Sequence, residues 1–307
     1  MGSQLTLTAF TSDPAAADTA FAAIVSEFDR LDAALSVWKP GSDILRVNSG
    51  AGAHPVRGGP DAMAVLSAAR RISEWTHGKF DVTFGALSDV WKFDHDQDGR
   101  VPTTDQVAAR RALIDFTAIQ TDNAARTVFL TRRGMRIHLG GIGKGYAVER
   151  AARLLRERGI RDFMIQSGGD LYAGGLRLDQ PWRLGIADPR RPSQIFGTLD
   201  VSNGAVSTSG DYERAFLKDG VRYHHLLDPA TGMPARGCRS VTIVASSPLL
   251  ADGLSTGVFI LGPTEGMALV ERLPDVGAII VTDRNEVLVS TGLHGKFRQT
   301  AEPTDGP

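Results

Sequence analysis

The chain has 307 residues, a formal net charge of −1 and a single cysteine. The near-neutral net charge gives no sign of binding to nucleic acid or to an anionic membrane. A single cysteine excludes an internal disulfide framework and a multi-cysteine metal site. No stretch approaches the roughly 20 apolar residues needed to span a bilayer. A composition of 42% hydrophobic and 22% charged residues predicts an ordinary globular protein with a large core.

The first part of the chain predicts a strand followed by a long amphipathic helix. Apolar and polar residues alternate over residues 5–9, which is typical of a half-buried strand. Asp13 and Pro14 are typical of a helix start, as its capping and first-turn residues. The helix presents one apolar face, because its large apolar residues recur at spacings of three and four: Phe21, Ile24, Phe28, Leu31 and Leu35.

The rest of the chain mixes helices and strands without regular alternation. Helices are predicted over about 60–76, from Thr104, over 145–158 with Gly159 as end cap, and near 249–261 and 264–272. Residues 127–139 predict two strands around a turn at Arg133 and Gly134, and further strands are predicted near 162–166, 182–187, 196–201, 240–245, 277–282 and 286–290.

This mixture favours an α+β fold, with mixed sheets and packed helices, over a doubly wound sheet. It predicts a single large domain or two closely joined lobes, covering residues 1–299. The polar tail, residues 300–307, holds two prolines and is predicted to be disordered.

Glycines surround Lys144 in the stretch HLGGIGKGYAVE, residues 138–149, just before a predicted helix. A Walker-type loop would need a hydroxyl residue after the lysine, but Gly145 follows it, and no glycine lies where that motif begins. The glycine spacing also fails the dinucleotide-binding pattern G-x-G-x-x-G. Neither common nucleotide motif is therefore present.

Other polar stretches have both a functional and a plain structural interpretation. Asp252 and Thr256 lie four residues apart on a predicted helix, so they share a face and could offer hard oxygen ligands to Mg²⁺; such a pair also occurs at a solvated helix start. Gly168 and Gly169 are equally typical of a tight turn. The adjacent His224 and His225 could be surface imidazoles.

Taken together, these stretches resemble the flavin transferase (ApbE) family, whose members move FMN from FAD onto a protein hydroxyl. The resemblance covers nearly the whole chain. Residues 140–147 resemble the family's G-G-I-A-K-G-Y-A, and residues 208–214 its T-S-G-D-Y-E-R. Residues 225–232 resemble H-[IL]-[IL]-D-P-x-T-G, and residues 251–256 resemble A-D-x-L-S-T.

The resemblance implies a T-fold-like structure with the cofactor in a cleft, and it implies roles for individual residues. Mg²⁺ would be held by Asp252, Thr256 and the backbone carbonyl of Gly143. His225 would accept the proton of the attacking hydroxyl, and Lys144 would place a positive charge at the phosphates. The predicted FAD-binding residues include Lys144 and His225 and, in addition, Ser36, Trp38, Asp81, Gly140, Gly141, Glu149, Gly168, Gly169, Asp170, Thr208 and Ser209. Trp38 would stack on the flavin or adenine ring, or would be a core tryptophan at a helix end.

The chain departs from the family pattern at four places. His138 stands where the family usually has aspartate, which is expected to alter FAD affinity or the geometry of the glycine loop. Gly143 replaces alanine, Glu149 replaces aspartate and Gln166 replaces asparagine.

One acidic stretch lies outside the resemblance. Residues 94–105, DHDQDGRVPTTD, have the spacing of an EF-hand calcium loop, but Asp105 stands at the position of the usual Glu and Pro102 at the ninth position. An acidic surface turn is the alternative interpretation.

By resemblance, the sequence predicts a magnesium-dependent transferase that moves FMN from FAD to a Thr or Ser hydroxyl of an acceptor flavoprotein, with release of AMP. The acceptor could be a subunit of an ion-pumping redox complex. The alternatives are an FAD pyrophosphatase, with water as acceptor, and a non-catalytic flavin-binding protein. The family also implies a periplasmic or cell-envelope location, with any leader absent from this chain; a cytoplasmic location is the alternative.

Overall fold

A seven-stranded antiparallel sheet lies at the centre of the computed structural model, which describes residues 3–306. Its strands follow one another across the sheet in the order β1 (Leu5–Phe10), β5 (Asp162–Ser167), β6 (Asp170–Gly174), β9 (Gly204–Gly210), β14 (Cys238–Ala245), β15 (Gly277–Thr282) and β16 (Val287–Val289). Every neighbouring pair in this sheet is antiparallel.

Smaller sheets surround the central one. Two are three-stranded: β2 (Val56–Arg57), β4 (Thr127–Leu130) and β3 (Ile119–Asp122) form one, and β17 (Phe297–Gln299), β8 (Ile195–Val201) and β7 (Trp182–Ala187) form the other. Two are two-stranded: β10 (Ala215–Lys218) with β11 (Val221–His224), and β12 (Leu227–Asp228) with β13 (Met233–Pro234).

The α-helices of residues 3–306 are α1 (Pro14–Leu35), α2 (Asp43–Ser49), α3 (Pro60–Trp75), α4 (Thr104–Arg111), α5 (Gly143–Glu157), α6 (Pro248–Leu261) and α7 (Pro263–Val270). Short 3₁₀ helices occupy Gly85–Asp89, Phe116–Ala118 and Thr291–Leu293. In the described part of the chain, no helix combines the length and the apolar character that crossing a membrane requires.

The central sheet buries both of its faces, and the alternation of side chains along a strand shows how. In β15, Ala278 and Ile280 belong to the core beneath the helices, whereas Ile279 and Val281 belong to the core beneath the sheet of β7, β8 and β17. α5 and α6 pack against each other and against the helical face of the sheet. The predicted α+β fold is therefore confirmed, as one domain without a closed barrel among the described residues.

α1 forms as its sequence predicts. The Asp13 side chain accepts the N–H of Ala16 at 2.9 Å, Pro14 occupies the first turn, and the buried face includes Ile24, Phe28 and Leu31. A capping bond of this kind stabilises a helix by about 1 kcal/mol.

Two local predictions were wrong. Only residues 127–130 of the predicted hairpin form a sheet strand, because the Asn48 side chain binds the backbone of the second arm: Oδ1 accepts the N–H of Ile137 at 2.7 Å and Nδ2 donates to its carbonyl at 3.0 Å. The polar composition of residues 35–48, with a proline and a glycine, predicts a loop after α1, but the segment contains the start of α2, since Ser42 caps that helix by accepting the N–H of Leu45.

The carboxyl-terminal segment also differs from the disordered tail that the sequence predicts. Thr304 donates its N–H and its hydroxyl to the buried carboxylate of Asp188, both at 2.7 Å. The guanidinium of Arg239, itself buried, donates to the carbonyl of Thr304 and to Asp305. Residues 300–306 are thus held against the body of the protein by polar groups that the sequence places far from them.

Candidate functional site

Two adjoining cavities lie where the glycine-rich loop meets the central sheet. The first has a volume of about 370 Å³ and is lined by residues that include Lys144, His225, Asp252 and Thr256. The second, of about 450 Å³, is lined in part by residues 35–39 and Gly143. The residues that line both cavities mark their junction: Trp38, Asp94, His138, Gly140, Lys144 and Arg214.

α5 and α6 cross at very short range beside the first cavity. Gly145, in the first turn of α5, donates its N–H to Asp252 Oδ2 at 2.8 Å. A Cβ atom on Gly145 would lie 2.3 Å from the carbonyl oxygen of Pro248 and 2.5 Å from the Cβ of Asp252. Only glycine allows this approach, which brings the Asp252 carboxylate to the amino end of α5.

Replacing Gly145 with alanine should therefore destabilise the protein, and Gly143 provides a matched control in the same helical turn. A Cβ on Gly143 meets its nearest neighbour, Leu139 Cβ, at an ordinary 3.8 Å. We expect Gly145→Ala to lower the free energy of unfolding by about 1–3 kcal/mol through overpacking, and Gly143→Ala to leave it unchanged or to raise it by up to about 1 kcal/mol through helix propensity. Urea denaturation of both variants measures the difference; equal stabilities would show that the two helices separate at no cost.

Lys144 is fixed by a network that begins at Asp170. The ammonium forms an ion pair with Asp170 Oδ2, and the Ser207 hydroxyl donates to Asp170 Oδ1 at 2.6 Å. Burial lowers the pKa of Lys144, but the negative charges of Asp170 and Asp252 outweigh that effect and raise it above its ordinary value. Lys144 is therefore a permanent positive charge at the junction of the two cavities.

Asp252 is a buried carboxylate with one hydrogen-bonded oxygen. Burial raises the pKa of Asp252 to about 7, and the nearby negative charge of Asp170 adds to the rise. One turn further along α6, the Thr256 hydroxyl lies 3.2 Å from Ser209 Oγ, which in turn lies 2.8 Å from Ser255 Oγ. These three hydroxyls thus form a hydrogen-bonded row, and the Ser255 hydroxyl donates to the main-chain carbonyl of Asp252 at 2.9 Å.

These groups fit a magnesium ion that takes only a few of its ligands from the protein. Among residues 3–306, no group of three or more His, Cys, Asp or Glu side chains could enclose a metal ion. Asp252 and Thr256 line the first cavity, whereas Gly143 lines the second. An ion at Asp252 would take hydroxyl, carbonyl and water oxygens as its other ligands, as Mg²⁺ commonly does when phosphates complete its shell.

The two neighbouring histidines have different surroundings. His225 lines the first cavity; its Nδ1 atom is buried and has no hydrogen-bond partner in the part of the chain described here. Burial, together with the positive charge of Arg214, lowers the pKa of His225 to about 3, so the imidazole is neutral at physiological pH. His224 is buried, and its Nε2 contacts the carbonyl of Ala235 at 3.0 Å.

His138 preserves the glycine loop. Its Nδ1 accepts the N–H of Gly140 at 3.0 Å, which is the hydrogen bond that an aspartate oxygen makes to the residue two positions later in an Asx-turn. Burial lowers the pKa of His138 to about 4, so Nδ1 is available as an acceptor. His138 thus supplies the acceptor that an aspartate at this position would provide.

The first cavity also has an aromatic wall. Phe80, Phe84, Trp91 and Phe93 contribute to it, and Trp91 stacks on Phe93 with ring centroids 5.3 Å apart. Sequence reasoning did not single out these residues, although the alternate positions of Trp91 and Phe93 in VWKF are a readable signal. Trp38 is 53% exposed at the junction and contacts the His95 ring edge-on, so it is not a core tryptophan.

The other predicted site residues divide into lining and supporting groups. Gly140, Gly141, Gly168, Gly169, Thr208 and Ser209 line the first cavity, and Ser36 lines the second. Gly168 is also a turn residue, with φ of +60°, between β5 and β6. Asp170 does not line either cavity but holds Lys144.

Two predicted FAD-binding carboxylates have other partners. Glu149 lines neither cavity; it accepts the hydroxyl of Ser247, the residue that caps α6, at 2.5 Å. Asp81 reaches the first cavity, but its oxygens accept the backbone N–H groups of Thr83 and Phe116 at 2.8 Å. Asp81 thus holds backbone next to the first cavity, and Glu149 holds the start of α6.

Arg214 was overlooked in the sequence, although it closes the quoted STSGDYER stretch. It lines both cavities and forms an ion pair with Asp94 at 2.8 Å. Asp96 pairs with Lys92, also at 2.8 Å, and Asp98 Oδ1 accepts the N–H of Arg100. Asp94, Asp96 and Asp98, the first carboxylates of the acidic stretch 94–105, thus bind groups of the protein itself, which is in keeping with a surface turn.

Comparisons with known proteins find relatives along most of the chain. The model of the ApbE family matches residues 1–280. A Klebsiella pneumoniae (strain 342) protein called FAD:protein FMN transferase is 32% identical over 266 residues, which are 85% of this chain and 76% of the relative. The crystal structure of the ApbE protein from Thermotoga maritima has a TM-score of 0.87 and 30% identity over 97% of both chains, and that of the flavin transferase ApbE from Vibrio cholerae has a TM-score of 0.86 and 28% identity over 96% of both.

Proposed function

The chain belongs to the ApbE family, and we propose that it is a magnesium-dependent FAD:protein FMN transferase. It attaches FMN from FAD to a Thr or Ser hydroxyl of an acceptor flavoprotein and releases AMP. The observation that carries the proposal is the convergence of Lys144, His225, Asp252 and Thr256, from separate segments of the chain, on one cavity.

The lining of the first cavity suits the two parts of a flavin nucleotide. The aromatic wall offers stacking partners for a flat ring, and such contacts contribute about 0.5–1.5 kcal/mol beyond the buried area. The same cavity offers the glycine loop, whose lack of side chains lets a phosphate approach the backbone, and the ammonium of Lys144. At the junction, the exposed Trp38 ring supports stacking of a second ring, which FAD has and FMN lacks.

Asp252, Thr256 and the carbonyl of Gly143 are the residues that would hold Mg²⁺. A bound Mg²⁺ supplies neutralisation of the negative charge on the phosphate oxygens. The buried carboxylate of Asp252 supports this assignment, because a nearby cation would offset the burial and the repulsion from Asp170 that raise its pKa.

His225 acts as the base in this proposal. The acceptor hydroxyl oxygen attacks the flavin-side phosphorus, and the bond from that phosphorus to the bridging oxygen breaks. The hydroxyl proton passes to the neutral imidazole of His225, and AMP leaves with the bridging oxygen and its electron pair. The place of His225 on the same cavity as Asp252 and Thr256 supports this role, as do the phosphates, whose negative charge would raise the low pKa of the imidazole.

The acceptor is proposed to be a flavoprotein of a bacterial cell envelope, such as a subunit of an ion-pumping redox complex. This part of the proposal follows from the family resemblance alone. Fractionation of cells that express the native gene product, followed by detection of the protein and of covalently bound flavin in the same fraction, tests it; a protein found only in the cytoplasm would contradict it.

The central experiment incubates the protein with FAD and Mg²⁺, with and without an acceptor flavoprotein that carries a target threonine. We expect AMP release that depends on the acceptor, together with in-gel flavin fluorescence of the acceptor. An acceptor whose target threonine is replaced by valine is the matched control. AMP release without any labelled acceptor would indicate an FAD pyrophosphatase, and tight FAD binding without AMP would indicate a non-catalytic flavin-binding protein.

A further inference from the structure

His138 lies at the junction of the two cavities and contacts the glycine loop directly. It lines both cavities, and its ring centroid lies 5.4 Å from that of Phe84. Its Nδ1 accepts the N–H of Gly140 at 3.0 Å. A Cβ on Gly140 would lie 2.7 Å from His138 Cε1, so the imidazole fits closely against a residue without a side chain.

The contact with Gly140 determines which ring nitrogen carries the proton. A backbone N–H can only donate, so Nδ1 must be unprotonated, and a neutral imidazole then carries its hydrogen on Nε2. Within residues 3–306, Nε2 makes no hydrogen bond, and it is not one of the buried polar atoms that lack a partner. His138 therefore presents an N–H donor that is accessible at the junction.

The charges around this donor indicate what it meets. Lys144 and Arg214 line the same junction, and the first turn of α5 begins there. Asp94 also lines it, and its carboxylate is paired with Arg214 at 2.8 Å. We propose that His138 is a dinucleotide-binding residue: Nε2–H donates to a pyrophosphate oxygen of FAD while Nδ1 holds the glycine loop. This inference rests on the proposed function, because it assumes that FAD occupies the junction.

Three substitutions separate the two functions of the ring. His138→Asn keeps an oxygen acceptor for the Gly140 N–H, but its shorter side chain places no donor at the position of Nε2. His138→Asp keeps the acceptor but replaces the donor with a negative charge. His138→Phe keeps a ring against Phe84 and loses both polar functions.

The experiment measures the dissociation constants of FAD and of riboflavin by fluorescence, in EDTA and in Mg²⁺. We expect His138→Asp to weaken FAD binding about 10- to 100-fold in EDTA, as loss of a hydrogen bond to a charged group predicts, and to leave riboflavin, which has no phosphate, within about threefold. His138→Asn, which loses the donor without adding a charge, should weaken FAD binding less than His138→Asp does and should leave riboflavin binding within about threefold of the original protein. His138→Phe should weaken FAD binding at least as much as it weakens riboflavin binding. The KM for FAD should rise in His138→Asp while kcat changes less than about threefold.

His54→Asp serves as the matched control, because His54 is exposed and lines neither cavity. Unchanged FAD binding by His138→Asp would overturn the role of His138 and leave the proposed function in place. Equal losses of FAD and riboflavin in that variant would also overturn it, since they would indicate a distorted loop. If the original protein bound no FAD at all, the proposed function would fall, and the role of His138 with it.

Discussion

Asp252→Asn is expected to abolish flavin transfer while making the metal-free protein more stable. Asparagine keeps an oxygen acceptor for the N–H of Gly145 and nearly the same volume, but it removes the charge that a cation would need. Charge stabilisation by a metal ion contributes several kcal/mol to a phosphoryl-type transfer, so we expect AMP release to slow about a thousandfold or more.

The gain in stability follows from the raised pKa of Asp252. Burial and Asp170 raise the folded-state pKa to about 7 from an ordinary 3.8, so the folded protein binds a proton there that the unfolded chain has already lost. Stability from this group is therefore present at acidic pH and is lost as pH rises from about 4 to about 7. At pH 8 in EDTA, we expect Asp252→Asn to unfold with a free energy about 2–4 kcal/mol higher than that of the unsubstituted protein.

Thermal melting with EDTA and with Mg²⁺ at pH 8 measures both consequences. Mg²⁺ should raise the melting temperature of the original protein and should have little effect on Asp252→Asn, because the variant lacks the charged ligand. Ser255→Ala is a useful comparison: it removes a buried hydroxyl on the same helix without changing the charge. An Asp252→Asn protein that transferred FMN at the normal rate would exclude Asp252 as a metal ligand.

The long elements of the fold could be predicted because their own residues define them. The apolar spacing of α1 and the cap at Asp13 are local signals, and both appear in the structure. β9 could not be predicted in this way, since its sequence GAVSTSG has the composition of a loop. It becomes a central strand because β6 and β14 pair with it on both sides, and its small side chains admit α6.

The candidate site likewise combines residues that the sequence identifies with contacts that only the fold creates. The residues of the quoted motifs were found by family resemblance, and the structure brings most of them to the two adjoining cavities. What the sequence could not provide are the partners from distant segments: Asp94 for Arg214, Asp170 for Lys144, and Ser247 for Glu149. Such pairs depend on the tertiary fold, and no spacing along the chain encodes them.

His225→Gln is expected to reduce the transfer rate by about 10²- to 10⁴-fold while leaving FAD binding within about threefold, because glutamine can accept a hydrogen bond but cannot take a proton at neutral pH. His224→Gln provides the matched control from the neighbouring position. It removes a buried imidazole that contacts the carbonyl of Ala235, so it should lower stability and should leave the rate per folded molecule nearly unchanged. Single-turnover measurements of AMP release with saturating FAD and acceptor separate the two effects.

The pH dependence gives an independent test of the same residue. The pKa of His225 is lowered by burial to about 3, so in the free protein this base is deprotonated at every pH above about 4. The loss of kcat/KM on the acid side, with a midpoint near pH 7, should then come from Asp252, because this carboxyl must lose its proton to bind the metal. Raising the Mg²⁺ concentration should move that midpoint to lower pH. If the acid limb of kcat/KM instead lay near pH 6.5, did not respond to Mg²⁺ and was absent in His225→Gln, His225 would titrate as an ordinary exposed imidazole. The proposal that His225 is a buried, neutral base would then be wrong.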